Sequence, residues 1–357
     1  MTSTYCARRR FLAVAGAGTL AGCFGGPGGD SSEEAADGEP AIDTVTLLLN
    51  WRIGALHAPY VAARENGFYA DEGFADVALE GGDGSDFAAN QAGLGNVEFA
   101  ISSSDQLLNV NSRGLSPRCV AVVMQRNPNV VFATRDGFGE LTDPEQLEGA
   151  TVGSGPGMVR EMTRAYLDRH GVLESVEYVD AGFDTVQQLL AGDLDAAGGV
   201  FGDVVDAEHQ GVEIDALSVD DTIRSYGHLV ATDEAFAAEH ETTVRSFLRA
   251  TARGAVWASE NPEDAIDALV DVQPELGEVR ENQLDKWDRM AAEYMLSDAV
   301  AERGWGVSEP EPWEQTYETL DSAGVFEDDV DPETVWTNDY LDDEDEHTAE
   351  YAELVGA

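Results

Sequence analysis

Basic residues are scarce. Lys and Arg number 20 against 70 Asp and Glu, giving a formal charge of −50, and the only lysine is Lys286. A surface this acidic repels a phosphate backbone, which excludes nucleic acid as a partner. Cysteine is almost missing too: Cys6, Cys23 and Cys119 are the three in 357 residues, and no Cys-rich run suggests a metal site or a disulfide framework. Long hydrophobic runs are lacking as well. The apolar stretch Phe11 to Ala21 is eleven residues, short of the roughly 20 that a helix needs to cross hydrocarbon.

Acid on this scale would suit a disordered chain, but 43% of the residues are hydrophobic and fall in periodic segments, so a folded chain with a substantial core is expected. In dilute buffer the acidic surface repels itself. At molar salt the screening length falls to roughly 3 Å and that repulsion largely disappears, which points to a halophilic host.

At the N-terminus, Arg8-Arg9-Arg10-Phe11-Leu12, the short apolar stretch and Leu20-Ala21-Gly22-Cys23 follow in order and resemble a twin-arginine lipoprotein signal. The resemblance implies export through Arg8 and Arg9, with Cys23 as the lipidated first residue of the mature protein on the outer face of the cytoplasmic membrane. Cys119 would then be the one remaining thiol, so no intrachain disulfide could form. Residues 24–40 are Gly, Ser, Glu, Asp and Pro with almost nothing apolar, a tether expected to reach roughly 20 to 25 Å.

Beyond the tether, apolar runs alternate with helical patterns. Strand Val45 to Leu49, a helix from His57 to Asn66 stopping at Gly67, strand Val77 to Leu79, helix Asp86 to Ala92, strand Glu98 to Ile101, helix Asp105 to Arg113 and strand Cys119 to Gln125 form a first series. A second runs through strand Ala150 to Gly153, helix Met158 to His170, strand Glu177 to Val179, helix Phe183 to Leu190 and strand Ala196 to Phe201, with a return near His228 to Thr232. This rhythm predicts an α/β chain of two lobes, each a mainly parallel mixed sheet with helices on both faces. The expected divisions are leader 1–23, tether 24–40, first lobe 41–135 and 228–340, second lobe 136–227 and an acidic tail 341–357. Helical periodicity after Ala235 would pack back on the first lobe.

In open α/β sheets, ligands bind beyond the carboxyl ends of the strands. Asn50 and Trp51 follow the first strand, and Trp51 offers a broad face for stacking on a flat ring, or a core tryptophan at a strand end. His57 can donate and accept in the same pocket or serve structurally, and Tyr60, one helical turn on, shares its face or packs. Ser102, Ser103 and Ser104 end a strand and open a helix, where hydroxyls cap amides or meet a ligand. Ser154, Gly155 and Gly157 lie in Gly153-Ser154-Gly155-Pro156-Gly157-Met158, a strand-to-helix turn with free amides or a simple tight turn. It lacks the lysine and spacing of a nucleotide P-loop.

Leu49-Asn50-Trp51, His57-Ala58-Pro59-Tyr60-Val61-Ala62 and Glu65-Asn66-Gly67-Phe68-Tyr69-Ala70-Asp71-Glu72-Gly73-Phe74 resemble the opening of the NMT1/THI5-like family. Later landmarks keep the family's order: Ala92-Gly93, Val97 to Ile101, Leu147-Glu148-Gly149, Asp195-Ala196 before Phe201, Arg245 to Ala250 and Asn261 to Ala265. The resemblance implies a two-lobed periplasmic-binding-protein type II fold. It further implies a monomeric solute-binding protein that needs no cofactor or metal and delivers a small molecule to ABC permease subunits. Relatives that bind pyrimidines place an aromatic and then a carboxylate near Phe201 and Asp203; here Val205 stands where the acid is expected, flanked by Asp203 and Asp206. Tyr226 would supply a second wall, or serve at the hinge. The implied ligand is a thiamine pyrimidine precursor, with riboflavin, alkanesulfonate or taurine, and nitrate as alternatives. The family also includes a pyrimidine-precursor synthase that uses pyridoxal phosphate through a lysine, for which Lys286 is the only candidate here.

Overall fold

A computed structural model describes residues 40–182, 184–342 and 345–356. The expected signal residues Arg8, Arg9 and Cys23, and all but the last residue of the tether, lie outside these. Ten strands form two five-stranded sheets. In the first sheet, β1 (Thr44–Leu48), β2 (Asp76–Glu80), β3 (Phe99–Ser102), β4 (Pro117–Val122) and β10 (Leu229–Asp233) lie in the order β2-β1-β3-β10-β4. The second contains β5 (Asn129–Thr134), β6 (Thr151–Ser154), β7 (Glu177–Asp180), β8 (Ala196–Val200) and β9 (Ile214–Ser218), in the order β7-β6-β8-β5-β9. Central strands such as β3 are buried along their whole length, which is why they read as unbroken apolar runs.

The helices that matter for the site are α1 (Ala58–Glu65), α2 (Ser85–Gly93), α3 (Ser104–Ser112), α4 (Met158–Arg169), α5 (Thr185–Ala191), α6 (Phe201–Glu208), α7 (Glu241–Glu260), α8 (Arg280–Arg289), α9 (Pro310–Ser322) and α10 (Glu346–Gly356). α7 packs on the first sheet through Phe247, whose ring stacks on Phe99 with centroids 3.9 Å apart and on Tyr69 at 5.2 Å. It also approaches α1 so closely that a Cβ on Gly254 would lie 2.2 Å from the Pro59 carbonyl oxygen. α9 spans both sheets: Trp313 is buried in the first lobe's packing and Leu320 in the second's.

Two expected boundaries are corrected. β5 pairs antiparallel with β8 and β9, so the chain has already crossed to the second sheet by Asn129 and not after residue 135. The Asn129–Thr134 run belongs there because its apolar residues fill the space between β8 and β9, a long-range pairing that local periodicity does not carry. The expected acidic tail is in part α10, which docks on the first lobe. Thr348 and Tyr351, one turn apart, face inward with Tyr351 2% exposed, while Glu353 is exposed.

Phe247 is central to the first lobe. Phe247→Ala is expected to cost about 3 to 5 kcal/mol, read as a lower denaturant midpoint with unchanged slope in molar KCl.

Candidate functional site

The order of the first sheet brings three chain positions to one edge. β1 and β3 run parallel and β10 antiparallel, so the carboxyl ends of the first two adjoin the start of the third, with Leu229 opposite Ser102. Asn50 follows β1, Ser102 ends β3 and His228 precedes β10. His57 arrives there on a 3-10 turn, Ala55–His57, held by the Ala55 amide donating to Gln283 Oε1 at 2.9 Å.

These residues converge on the Asn50 carboxamide. Its Oδ1 accepts from His57 Nε2 at 2.9 Å, and its Nδ2 donates to His228 Nε2 at 3.0 Å and to Ser85 Oγ at 3.4 Å. The two imidazoles stack, centroids 5.5 Å apart and 16° from parallel. With these partners His57 carries its proton on Nε2, and His228 presents a lone pair there and holds its proton on Nδ1. Both rings are buried, 3% and 7% exposed. Burial holds His57 well below the ordinary imidazole range, with the neighbouring His228 acting in the same direction. Burial likewise lowers His228 to about 4, against a smaller opposing pull from the Leu56 backbone. Neither Nδ1 makes a hydrogen bond of normal geometry.

Trp51, the next residue along the chain, has 51% of its surface exposed. Tyr60 is fully buried in the first lobe's packing and its hydroxyl has no partner. The Ser102 hydroxyl is turned inward to the Ser85 carbonyl at 3.0 Å. Ser103 is half-buried and hydrogen-bonds the Asp105 carboxylate, whose pKa burial raises. Ser104 is tied to the Tyr226 backbone at 3.0 and 3.2 Å.

On the second lobe, Ser154 is buried with its hydroxyl 2.5 Å from that of Tyr178. Gly155 is half-buried, and Gly157, at φ +73°, opens α4 with no side-chain cap, leaving amides for solvent or a ligand. Phe201, expected as a wall, packs in this structure, and so does Tyr226, expected as a wall or at the hinge. Phe201 stacks on Tyr294 at 4.2 Å, and Tyr226 meets Trp313 edge-on at 5.9 Å while its hydroxyl accepts from the Glu309 amide at 2.8 Å. The aromatics that cover them come from far along the chain. The Asp203 carboxylate accepts from the Val200 amide at 2.8 Å, capping α6, and burial raises its pKa.

Asp203 also lines a cavity of about 990 Å³ between α5 and α6 on one side and α8 with its preceding turn on the other. Asp206, Asn282, Gln283 and Lys286 line it too, and Gln283 is the residue that holds Ala55. α6 and α8 face each other along a polar seam: Asp206 pairs with Lys286 at 2.7 Å and accepts from Asn282 at 2.9 Å, Glu208 pairs with Arg289 at 2.8 Å, and His209 Nε2 lies 2.6 Å from Asp285. Among the described residues no group of three His, Cys, Asp or Glu is placed to hold a metal. His228, Ser85 and Gln283 were not among the expected site residues. Only His228 carried a local signal, its place directly before a strand.

Residues 55–265, more than half of the chain, match the family profile described as NMT1/THI5 like. The chain belongs to the NMT1/THI5-like family. It is 27% identical over 316 residues to the riboflavin-binding protein RibY of Chloroflexus aurantiacus, covering 86% of this chain and 88% of that one. The formylaminopyrimidine-binding protein of Halalkalibacterium halodurans is 28% identical over 309 residues, 82% and 89% of the two chains. Relatives within this family also include the 4-amino-5-hydroxymethyl-2-methylpyrimidine phosphate synthase of Legionella pneumophila, 26% identical over 250 residues, 65% of this chain and 74% of that one. The periplasmic aliphatic sulphonate binding protein SsuA of Escherichia coli superposes with a TM-score of 0.64 at 11% identity over 83% of this chain and 92% of its own. The fold is that of the periplasmic binding proteins.

The neutral pair gives a pH dependence. With a pKa of about 4 folded and an unfolded value of roughly 6.5, the unfolded chain binds more protons between these limits, so stability rises with pH across that window. The contribution of His228 is intact above about pH 6.5 and falls away towards pH 4, on the order of 3 kcal/mol in all. Denaturant midpoints of His228→Gln and the parent should therefore converge as the pH drops from 7 to 4; parallel curves would contradict the assignment.

Proposed function

We propose that this chain is the extracellular solute-binding component of an ABC-type importer, capturing a small flat organic solute and delivering it unaltered to membrane permease subunits. One observation carries the reading: a carboxamide held by two neutral histidines stands at the strand edge where α/β sheets bind ligands, and the next residue along the chain, Trp51, is exposed. The carboxamide supplies hydrogen bonds to a heteroaromatic edge and the indole a surface to stack on it.

A thiamine pyrimidine precursor is the first candidate, supported by the formylaminopyrimidine-binding relative. Riboflavin is the second. It is what the relative RibY is named for binding, and its flat ring would stack and hydrogen-bond as a pyrimidine does. Alkanesulfonate, taurine and nitrate fit less well, because the groups gathered at the edge, Asn50, His57 and His228, are uncharged and bring no cation to meet an anion. The only lysine, Lys286, is paired with Asp206. That pairing also weighs against a synthase: an ion-paired ammonium is a poor nucleophile for a Schiff base.

The reading places the protein outside the cytoplasmic membrane, exported through Arg8 and Arg9, anchored by acyl chains on Cys23 and working as a monomer in high salt. Replacing Cys23 with Ser should release the protein into the medium, detected by fractionation; retention in the membrane fraction would refute the anchor.

The binding reading is tested by thermal unfolding in molar KCl with formylaminopyrimidine, riboflavin, taurine and nitrate. A bound ligand at a hundred times its Kd adds about 2.7 kcal/mol. Trp51→Ala should abolish the shift and leave the unliganded melting temperature within a few degrees of the parent's, since the side chain is exposed. Conversion of the ligand, detected by mass, would point to an enzyme.

A further inference from the structure

Asn50 sits in a loop and is only half-buried, yet its amide makes bonds to two buried rings from opposite directions in the chain. One of these rings is fixed locally. His57 lies seven residues along, at the end of the same loop, and serves as the lead-in to α1.

The other ring is fixed by the crossing between the sheets. The chain passes from the first sheet to the second through residues 123–128 and returns through 219–228, and the two passages pair as antiparallel backbone. Val123 and Met124 both donate to the His228 carbonyl, at 2.9 and 2.7 Å, and Gly227 donates to the Met124 carbonyl at 3.1 Å. The passages are packed without slack, since a Cβ on Gly227 would lie 2.4 Å from Met124 Sδ. The backbone of His228 is thus part of the crossing while its imidazole reaches the strand edge of the first lobe.

A carboxamide can take part in four hydrogen bonds, two given and two received. Asn50 receives one from His57 and gives one to His228; the second donor meets Ser85 Oγ only at 3.4 Å, and one lone pair on Oδ1 is unused. A free carboxamide would turn over, exchanging donor and acceptor. Held as it is, it offers a ligand one acceptor beside one weakly engaged donor, complementary to an amide-like or aminopyrimidine edge.

We propose that His228 is a positioning residue for ligand recognition: from the return crossing it locks the Asn50 carboxamide in the orientation that reads the hydrogen-bonding edge of the ligand. The assignment rests on the solute-binding reading above. It adds that the recognition group is set from the hinge, so the crossing and the binding edge are one mechanical unit.

The test uses the full chain in molar KCl, with formylaminopyrimidine and riboflavin as probes and affinity measured by calorimetry. His228→Leu leaves the amide N–H without an acceptor and should weaken the probe that the parent binds by about tenfold or more. His228→Gln restores an acceptor and should recover affinity to within about threefold, a rescue that a purely space-filling role would not give. In an Asn50→Ser background, His228→Leu should have no further effect, because the ring acts through the amide. Unchanged affinity in His228→Leu, or losses that simply multiply in the double variant, would overturn the assignment.

If His228→Leu does not fold, or neither probe binds the parent, the nitrogen–proton spectrum of the unliganded parent decides. A locked Asn50 amide has its side-chain protons protected from exchange with solvent, their signals identified by loss in Asn50→Ser. Rapidly exchanging signals would defeat the proposal. Failure of both probes with a protected amide would instead count against the ligand reading alone.

Discussion

Both sheets depend on a few residues of antiparallel backbone where the chain passes between them. His228 is the acceptor for two amides of the outgoing passage, and Gly227 gives the pairing its closeness. Around it the C-terminal region adds further fastenings. Gln125 donates its amide to the Tyr294 carbonyl at 2.6 Å and its side chain to Val307 at 2.9 Å, and Ser297 donates back to Gln125 at 3.0 Å. Buried polar groups that are all paired define a single arrangement more strongly than apolar contacts do. The crossing between the sheets is therefore fastened from the C-terminal region as well as by its own backbone bonds.

Electrostatics works differently here from what the charge suggests. Most ion pairs lie on the surface, such as Arg253 with Asp71 and Arg224 with Glu311, where each contributes about 0 to 1 kcal/mol and salt screens it further. Stability comes instead from apolar layers such as the Phe99–Phe247–Tyr69 stack. The edge around Asn50 follows the same division: its histidines are uncharged and its bonds are neutral ones, which high salt leaves largely intact.

Much of the fold could be read along the chain because parallel strands buried on both faces are unbroken apolar runs, and helices such as that beginning at Ala58 end at glycine. β5 and β9 could not, since each owes its place to antiparallel partners some distance away in sequence. The site divides likewise. Asn50 and Trp51 were candidates because they follow a strand, and His57 because of the His-Ala-Pro-Tyr context it stands in. His228 takes its part only once β10 is inserted between β3 and β4. Phe201 and Tyr226 were read as walls because nothing near them in the chain hints that Tyr294 and Trp313 cover their rings. The inward turn of Tyr351 was hidden in the same way by its acidic neighbours.

The one lysine lies on the seam between α6 and α8, its ammonium against Asp206. Arginine everywhere else leaves this as the sole side-chain amine, so an acylating reagent has a single side-chain address, at the place where the two halves meet. A dye attached there would ride on the seam without any engineered cysteine. Acetylation at the same atom would remove the seam's lysine charge and leave the Glu208–Arg289 pair, the Asn282–Asp206 bond and the His209–Asp285 contact to hold the seam together.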